Sequence, residues 1–384
     1  MLAGLALFLT YLFVINIAES ASFPPAKDLP NHPEMPNPLV MQDGKKVTNI
    51  KQWRQRRREM EQLMEVYVFG HMPPPPGNVC ARVVSSGILM NGGVTCQVVR
   101  LTFGRQHQLG FDVRIFSPIP QCNVTARFPT IIHPVYVDTK NLVEYTNALR
   151  RGYAVADINY QQLGADGPNY RKSGFFPSYP DCDWNDIAAW AWGISRCVDF
   201  LETYPAADKS SLIVLGVSRL GQSAALAGAL DERIAMVAQV GGGSAFRFTG
   251  KGRGGKQGLD EIERQNTYWF GPGLAEFVGQ TDRLPFDYHW LPAMTAPRFY
   301  LLCNGLEDQY VNDYAVVQTF LSAKPVYEFL GHPENLGLNF RAGRHGMTAE
   351  DWSTVLDFAD QKLRGIDHHR RFDQIPPKAQ LHQG

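Results

Sequence analysis

Apolar and polar residues alternate along three successive stretches, "VCARVVSS" from Val79, "VTCQVVRLTF" from Val94 and "GFDVRIFSP" from Gly110. A period of two predicts strands with one covered side, and their short separations predict antiparallel pairing at the edge of a sheet. The pattern then changes. "FPTIIHPVYV", "YAVADINY", "SLIVLG", "RIAMVAQV", "PRFYLLCN" and "PVYEFLG" are short, mostly apolar runs of the kind that a sheet buries on both faces. Helical spacing lies among them: near Asn141 to Arg150, along "DIAAWAWGISRCVDFLETY", after Ser218, and in the closing "TAEDWSTVLDFADQKL". Strands alternating with amphipathic helices predict a mostly parallel central sheet covered on both sides, a three-layer α/β sandwich with antiparallel N-terminal strands.

The start of the chain reads differently. "MLAGLALFLTYLFVINIAES" is nearly unbroken apolar sequence of signal-peptide length, with small residues near Ala18 to Ser22 suited to cleavage; lacking a basic start, it fits an N-terminal membrane anchor as well. Both readings of residues 1–22 predict export, with residues 23–384 forming a single domain. "SASFPPAKDLPNHPEMPNPL" is rich in proline and predicts an extended lead-in, and a helix is expected from Lys51 to Tyr67, ended by "HMPPPPGN". Lys+Arg and Asp+Glu number 37 each, so no net field attracts nucleic acid. The basic run "RQRRREMEQL" from Arg54 is interleaved with Glu and predicts a solvated helix face. Six cysteines without a CxxC pair predict one to three disulfides and no metal knuckle. Asn123-Val124-Thr125 is an N-glycosylation sequon.

Candidate chemistry concentrates in "SLIVLGVSRLGQSAALAGAL", Ser211 to Leu230. A serine between a buried strand and a helix N-terminus is held on a sharp turn, with helix amides facing any negative charge that develops beside it. The usual nucleophile elbow reads G-x-S-x-G; here Gly216 obeys it, but the second glycine comes one place late, at Gly221. Arg219 offers a cationic donor to an oxyanion next to Ser218. A nucleophilic serine needs an orienting acid and a base, which in α/β-hydrolase order follow it as acid and then histidine. Asp308, in the turn "NGLEDQYV" after a late strand, is the expected acid, with Glu307 as its alternative. His345, in "FRAGRHGMTAEDW" before the last helix, is the expected base.

These segments resemble carbohydrate esterase family 15, the glucuronoyl esterases, whose signature is G-x-S-R-x-G-K. The resemblance rests on "GVSRLGQSAALAGALDERI", "MQDGKKVTNIKQWRQRRREMEQLMEVYVFGHMP", "DIAAWAWGISRCVDFLE", "LPFDYHWLPAMTAPR" and "RAGRHGMTAEDW", and runs from about Pro36 to Leu363. It implies an α/β-hydrolase fold, no metal or cofactor, and cleavage of the ester between 4-O-methyl-glucuronic acid on glucuronoxylan and a lignin alcohol. It also implies Ser218 as nucleophile, His345 as base and Arg219 in the oxyanion hole. The chain departs from the family pattern at several positions. Gln222 stands where the family has a sugar-binding lysine. Gly241 stands near the glutamate that serves some members as acid, which favours Asp308. Tyr310 replaces a tryptophan beside the uronate, Trp269 matches an aromatic of the substrate cleft, and Gln257 corresponds to a cleft glutamate. Two rival functions remain: another carbohydrate esterase activity such as removal of acetyl groups from xylan, and a non-catalytic glycan-binding relative. No protein partner is expected.

Overall fold

A computed structural model describes residues 23–120, 126–135, 141–249 and 257–380. The apolar start, residues 1–22, and the Asn123 sequon lie outside the described residues. In chain order the strands are β1 (Cys80–Leu89), β2 (Val94–Phe103), β3 (Leu109–Pro118), β4 (Phe128–Val135), β5 (Ala154–Asn159), β6 (Ala207–Val217), β7 (Met236–Val240), β8 (Phe299–Gly305) and β9 (Leu336–Arg341). They form one sheet in the order β1-β2-β3-β5-β4-β6-β7-β8-β9. The ladders from β1 through β3 to β5 are antiparallel, and those from β5 through β4 and β6 to β9 are parallel. The mostly parallel sheet with an antiparallel N-terminal edge is the one that the pattern predicts, and the α/β-hydrolase fold is the one that the family resemblance implies.

The helices are α1 (Ile50–Met64), α2 (Asn141–Arg150), α3 (Asp186–Leu201), α4 (Arg219–Leu230), α5 (Leu259–Gln265), α6 (Pro272–Ala275), α7 (Trp290–Thr295), α8 (Asp313–Phe329) and α9 (Ala349–Ala359). Along β6, Leu212 and Val214 face one core with residues of α3, α4 and α7, whereas Ile213 and Leu215 face a second core with residues of α2 and α9. A period of two thus buries both faces of a central strand, and the sheet becomes the middle of three layers.

Three expectations need correction. "PVYEFLG" is not a strand but the end of α8, where Val316, Phe320, Ala323, Val326 and Tyr327 are buried at helical spacing and Pro325 lies inside the helix. The strand that precedes the histidine loop is instead "LGLNFR", β9. Its Gly337 looks like a breaker, yet a Cβ there would come 2.9 Å from Leu301 Cδ1 and 2.9 Å from Phe358 Cε2, so any larger residue would have to displace side chains packed between the strand and α9. The basic run on α1 is not wholly solvated. Arg56 is buried, pairs with Glu59 and stacks 4.8 Å over Trp290, while Arg57 donates to the Met294 and Ala229 carbonyls. Finally, none of the five described cysteines is in a disulfide. Cys197 and Cys303 are enclosed in separate cores, and Cys80 and Cys96 face Thr102 and Gly87 across their ladder rather than each other. Cys122 lies outside the described residues.

The proline-rich segment holds one 3-10 turn, Ala26–Asp28, and hydrogen bonds tie it to later parts of the chain. The Ala26 amide donates to Glu276, the Tyr67 hydroxyl to the Pro24 carbonyl, and His289 Nε2 lies 2.8 Å from the Pro36 carbonyl.

Candidate active site

β6 ends at Val217 and α4 begins at Arg219, leaving Ser218 as the only residue between them. Its φ of 56° and ψ of −132° lie where side-chain-bearing residues are strained by roughly 1–3 kcal/mol. Neighbouring glycines permit the turn. A Cβ on Gly216 would sit 2.1 Å from the Leu220 carbonyl oxygen, and one on Gly221 would approach Gly216 and Gly242 at 3.1 Å. The late second glycine is therefore the point where helix and sheet turns touch, and Leu220 packs into the core. The Ser218 amide donates to the Val240 carbonyl at 2.9 Å, which places the serine beside the end of β7.

The residue after Val240 is Gly241, with φ of 52°, and it forms the floor under the acid and the histidine. A Cβ there would lie 3.2 Å from His345 Nδ1 and 3.3 Å from Asp308 Oδ2. His345 Nδ1 and Asp308 Oδ2 are 2.7 Å apart, and Asp308 Oδ1 accepts the amides of Tyr310 at 2.8 Å and Val311 at 2.9 Å. Burial alone would raise the Asp308 pKa, but the hydrogen bonds from His345 and these amides outweigh it and hold the carboxyl below its ordinary value. Glu307 does not face the histidine. It accepts the Gly343 amide, is exposed, and pairs with Lys378 at 3.5 Å. Of the other histidines, His133 and His289 are buried and pushed down to about 3 by desolvation, which leaves them neutral.

Arg341, at the end of β9, holds the histidine loop from beneath. It pairs with buried Asp351 at 2.6 Å and donates to the carbonyls of Ala342, Arg344 and Gly346. Asp351 also completes the capping box of α9 with Thr348. Sequence reasoning missed this residue, since an arginine at a strand end carries no local signal of what it ties.

The Arg219 side chain meets Asp166, Tyr160 and Trp269. Its Nε is 2.5 Å from Asp166 Oδ2, its Nη2 donates to the Tyr160 hydroxyl at 3.2 Å, and its guanidinium lies 5.9 Å and 5.7 Å from the Tyr160 and Trp269 rings. Trp269 Nε1 donates to Asp166 Oδ1 at 2.8 Å. The loop carrying Trp269 is docked on the start of α3, where the Asp186 and Ile187 amides donate to the Tyr268 and Trp269 carbonyls. Such carbonyls satisfy amides that a helix N-terminus leaves unpaired. Tyr310 is half exposed, and its ring meets the His345 ring edge-on at 5.0 Å. Gln222 is buried on α4, and its Oε1 has no hydrogen-bond partner among the described residues. Gln257 lies just before the Gly258 cap of α5, and none of the geometry above includes it. Among the described residues no group of three or more His, Cys, Asp or Glu could hold a metal ion.

A strand-serine-helix elbow, followed in chain order by an acid and a histidine that are hydrogen-bonded, is the arrangement of the α/β-hydrolase class. Comparison with known proteins narrows the class. The family model for fungal glucuronyl esterases matches residues 104–331. A carbohydrate esterase family 15 glucuronoyl esterase from Caldicellulosiruptor kristjansonii is 30% identical with a TM-score of 0.74, covering 92% of this chain and 97% of that one. A promiscuous family 15 esterase from a marine bacterial metagenome is 26% identical with a TM-score of 0.76, covering 88% and 98%. Among curated proteins, carbohydrate esterase MZ0003 from an unknown prokaryotic organism is 28% identical over 86% of this chain and 90% of its own length. The chain belongs to the glucuronoyl esterase family, carbohydrate esterase family 15, and is a carboxylic ester hydrolase.

Proposed function

We propose that the protein is a secreted serine esterase that hydrolyses the ester between 4-O-methyl-glucuronic acid of glucuronoxylan and an alcohol, as found in lignin-carbohydrate esters. The observation that carries this reading is the 2.7 Å contact between Asp308 and His345 on the Gly241 floor, next to the Ser218 elbow. The substrate is supported by relatives from Phanerochaete carnosa and Schizophyllum commune, each 28% identical over 87% of this chain and each named a 4-O-methyl-glucuronoyl methylesterase. Secretion is supported by the apolar first twenty residues. No helix among the described residues is long and apolar enough to cross a membrane.

The reaction is a two-step acyl transfer. Asp308 binds His345 Nδ1, so Nε2 is the nitrogen left to accept the Ser218 proton. Ser218 Oγ attacks the uronate carbonyl, and the developing oxyanion is held by Arg219 and by backbone N–H at the positive end of α4. His345 returns the proton to the leaving alcohol. A water molecule, deprotonated by His345, then attacks the acyl-enzyme and releases the uronic acid. Gln222, Trp269 and Tyr310 contact the sugar: the amide through hydrogen bonds in place of the family lysine, the rings by stacking on its apolar face.

The test is the initial rate of the purified protein on benzyl glucuronate and on an acetylated xylo-oligosaccharide, with Ser218→Ala as blank. A strong preference for the uronate ester is expected. Preference for the acetyl ester would mean that the altered sugar contacts serve deacetylation, and no turnover of either would leave a glycan-binding relative.

A further inference from the structure

We propose that Asp166 is a positioning residue that fixes the Arg219 guanidinium beside the nucleophile, using the same carboxylate that anchors Trp269. The proposal rests on the acyl-transfer reading of Ser218. Asp166 comes from the loop "QQLGADGPN" after β5, remote in sequence from every residue with which it interacts except Tyr160. Its side chain is only 9% exposed. Oδ2 meets Arg219 Nε at 2.5 Å and accepts from the Tyr160 hydroxyl at 3.3 Å, while Oδ1 accepts from Trp269 Nε1 at 2.8 Å. One carboxylate thus ties the end of β5, the elbow and the cleft tryptophan. An arginine on a flexible stem serves an oxyanion well only if its planar fork is oriented before the charge develops. The ion pair with Asp166, the hydrogen bond from Nη2 to the Tyr160 hydroxyl, and the Tyr160 and Trp269 rings 5.9 Å and 5.7 Å away together restrain the Arg219 guanidinium.

A second carboxyl completes the arrangement. Asp186, the first residue of α3, is fully buried within electrostatic range of Asp166. Burial first, and then the Asp166 charge, push it up to about 9, so it carries a proton at neutral pH. Arg219 and Asp166 are then the charged members of this trio, and the Arg171 cation also acts on Asp186. A single carboxylate orients the arginine without adding excess negative charge that would oppose an oxyanion.

The experiment is a double-mutant cycle between Asp166→Asn and Arg219→Ala, read as kcat and KM on benzyl glucuronate, with labelling of Ser218 by a fluorophosphonate followed in all four proteins. Asparagine keeps the shape and an acceptor for Trp269 but removes the charge facing Arg219. If Asp166 acts through Arg219, Asp166→Asn lowers kcat by roughly 100-fold when Arg219 is present, with KM nearly unchanged. In the Arg219→Ala background the same change costs less than about twofold. Equal losses in both backgrounds, or no loss in the first, would overturn the assignment. If the asparagine protein is not recovered folded, the same cycle with Asp166→Glu, which keeps the charge but moves it by one methylene, gives the same two outcomes. Wild-type protein that is neither active nor labelled would overturn the acyl-transfer reading, and this assignment with it. An active, labelled wild type whose Asp166 variants lose nothing overturns this assignment alone.

Discussion

Replacing Asp308 by asparagine changes one contact out of three. The two backbone amides, from Tyr310 and Val311, still find an acceptor in the asparagine Oδ1. The third position then presents an NH₂ group to His345 Nδ1 in place of the carboxylate oxygen now 2.7 Å away. A donor facing Nδ1 selects the imidazole tautomer protonated on Nε2, the nitrogen that must accept the serine proton. The variant therefore folds around an intact turn but holds its base in the wrong form. In other Ser-His-Asp enzymes this substitution costs about 10⁴-fold in kcat, which corresponds to about 5.5 kcal/mol of transition-state stabilisation. We expect a loss of about 10³–10⁴-fold in kcat on a glucuronate ester, with little change in KM. Glu307→Gln, which alters only an exposed contact with the Gly343 amide and Lys378, should stay within about threefold of wild type. Retention of more than about a tenth of wild-type kcat by Asp308→Asn would refute the assignment of the acid.

Four further outcomes follow from the same geometry. Because Asp308 is held below its ordinary value of 3.8, its contribution to stability is full above that pH and is lost as pH falls through the lower folded value; melting curves between neutral pH and acid should fall less steeply for Asp308→Asn than for wild type. Ser218→Gly should abolish turnover yet raise stability by about 1 kcal/mol in urea unfolding, since glycine relieves the positive φ. Gly241→Ala should cost about 1–2 kcal/mol and lower kcat, because its Cβ pushes on His345 and Asp308 while adopting a φ of 52°; unchanged kcat would show that the floor is not tight. Arg341→Ala removes the ion-pair partner of buried Asp351 and leaves only its Thr348 hydrogen bonds, with an expected loss of about 3–5 kcal/mol in chemical unfolding.

Much of this architecture was legible because its signals are local. Alternation marked β1 to β3, apolar runs marked the parallel strands except β9, and Ser218, Asp308 and His345 each stand shortly after a strand end in an order that chain sequence makes recognisable. The failures share a cause, since each depends on what a residue meets far away in sequence. Gly337 breaks the apolar run of β9, and only the close approach of Leu301 and Phe358 accounts for it. Val326 and Tyr327 favour a strand locally, but tertiary packing keeps them in α8. Arg56 looks like surface charge until Trp290 lies beneath it. Asp166 has no motif at all, and only the fold brings it to Arg219 and Trp269. The cysteines fit an exported chain by composition, whereas pairing is decided by geometry that composition does not contain.

If Ser218 is the nucleophile of a uronate esterase, a covalent serine-directed probe has to find it. Folded protein is treated with a fluorophosphonate, in parallel with Ser218→Ala, and intact mass is followed by peptide mapping while hydrolysis of benzyl glucuronate is assayed. One adduct per chain is expected, located on Ser218, absent from the alanine variant and formed in step with loss of esterase activity. An adduct on another residue, or full activity in a labelled protein, would contradict it.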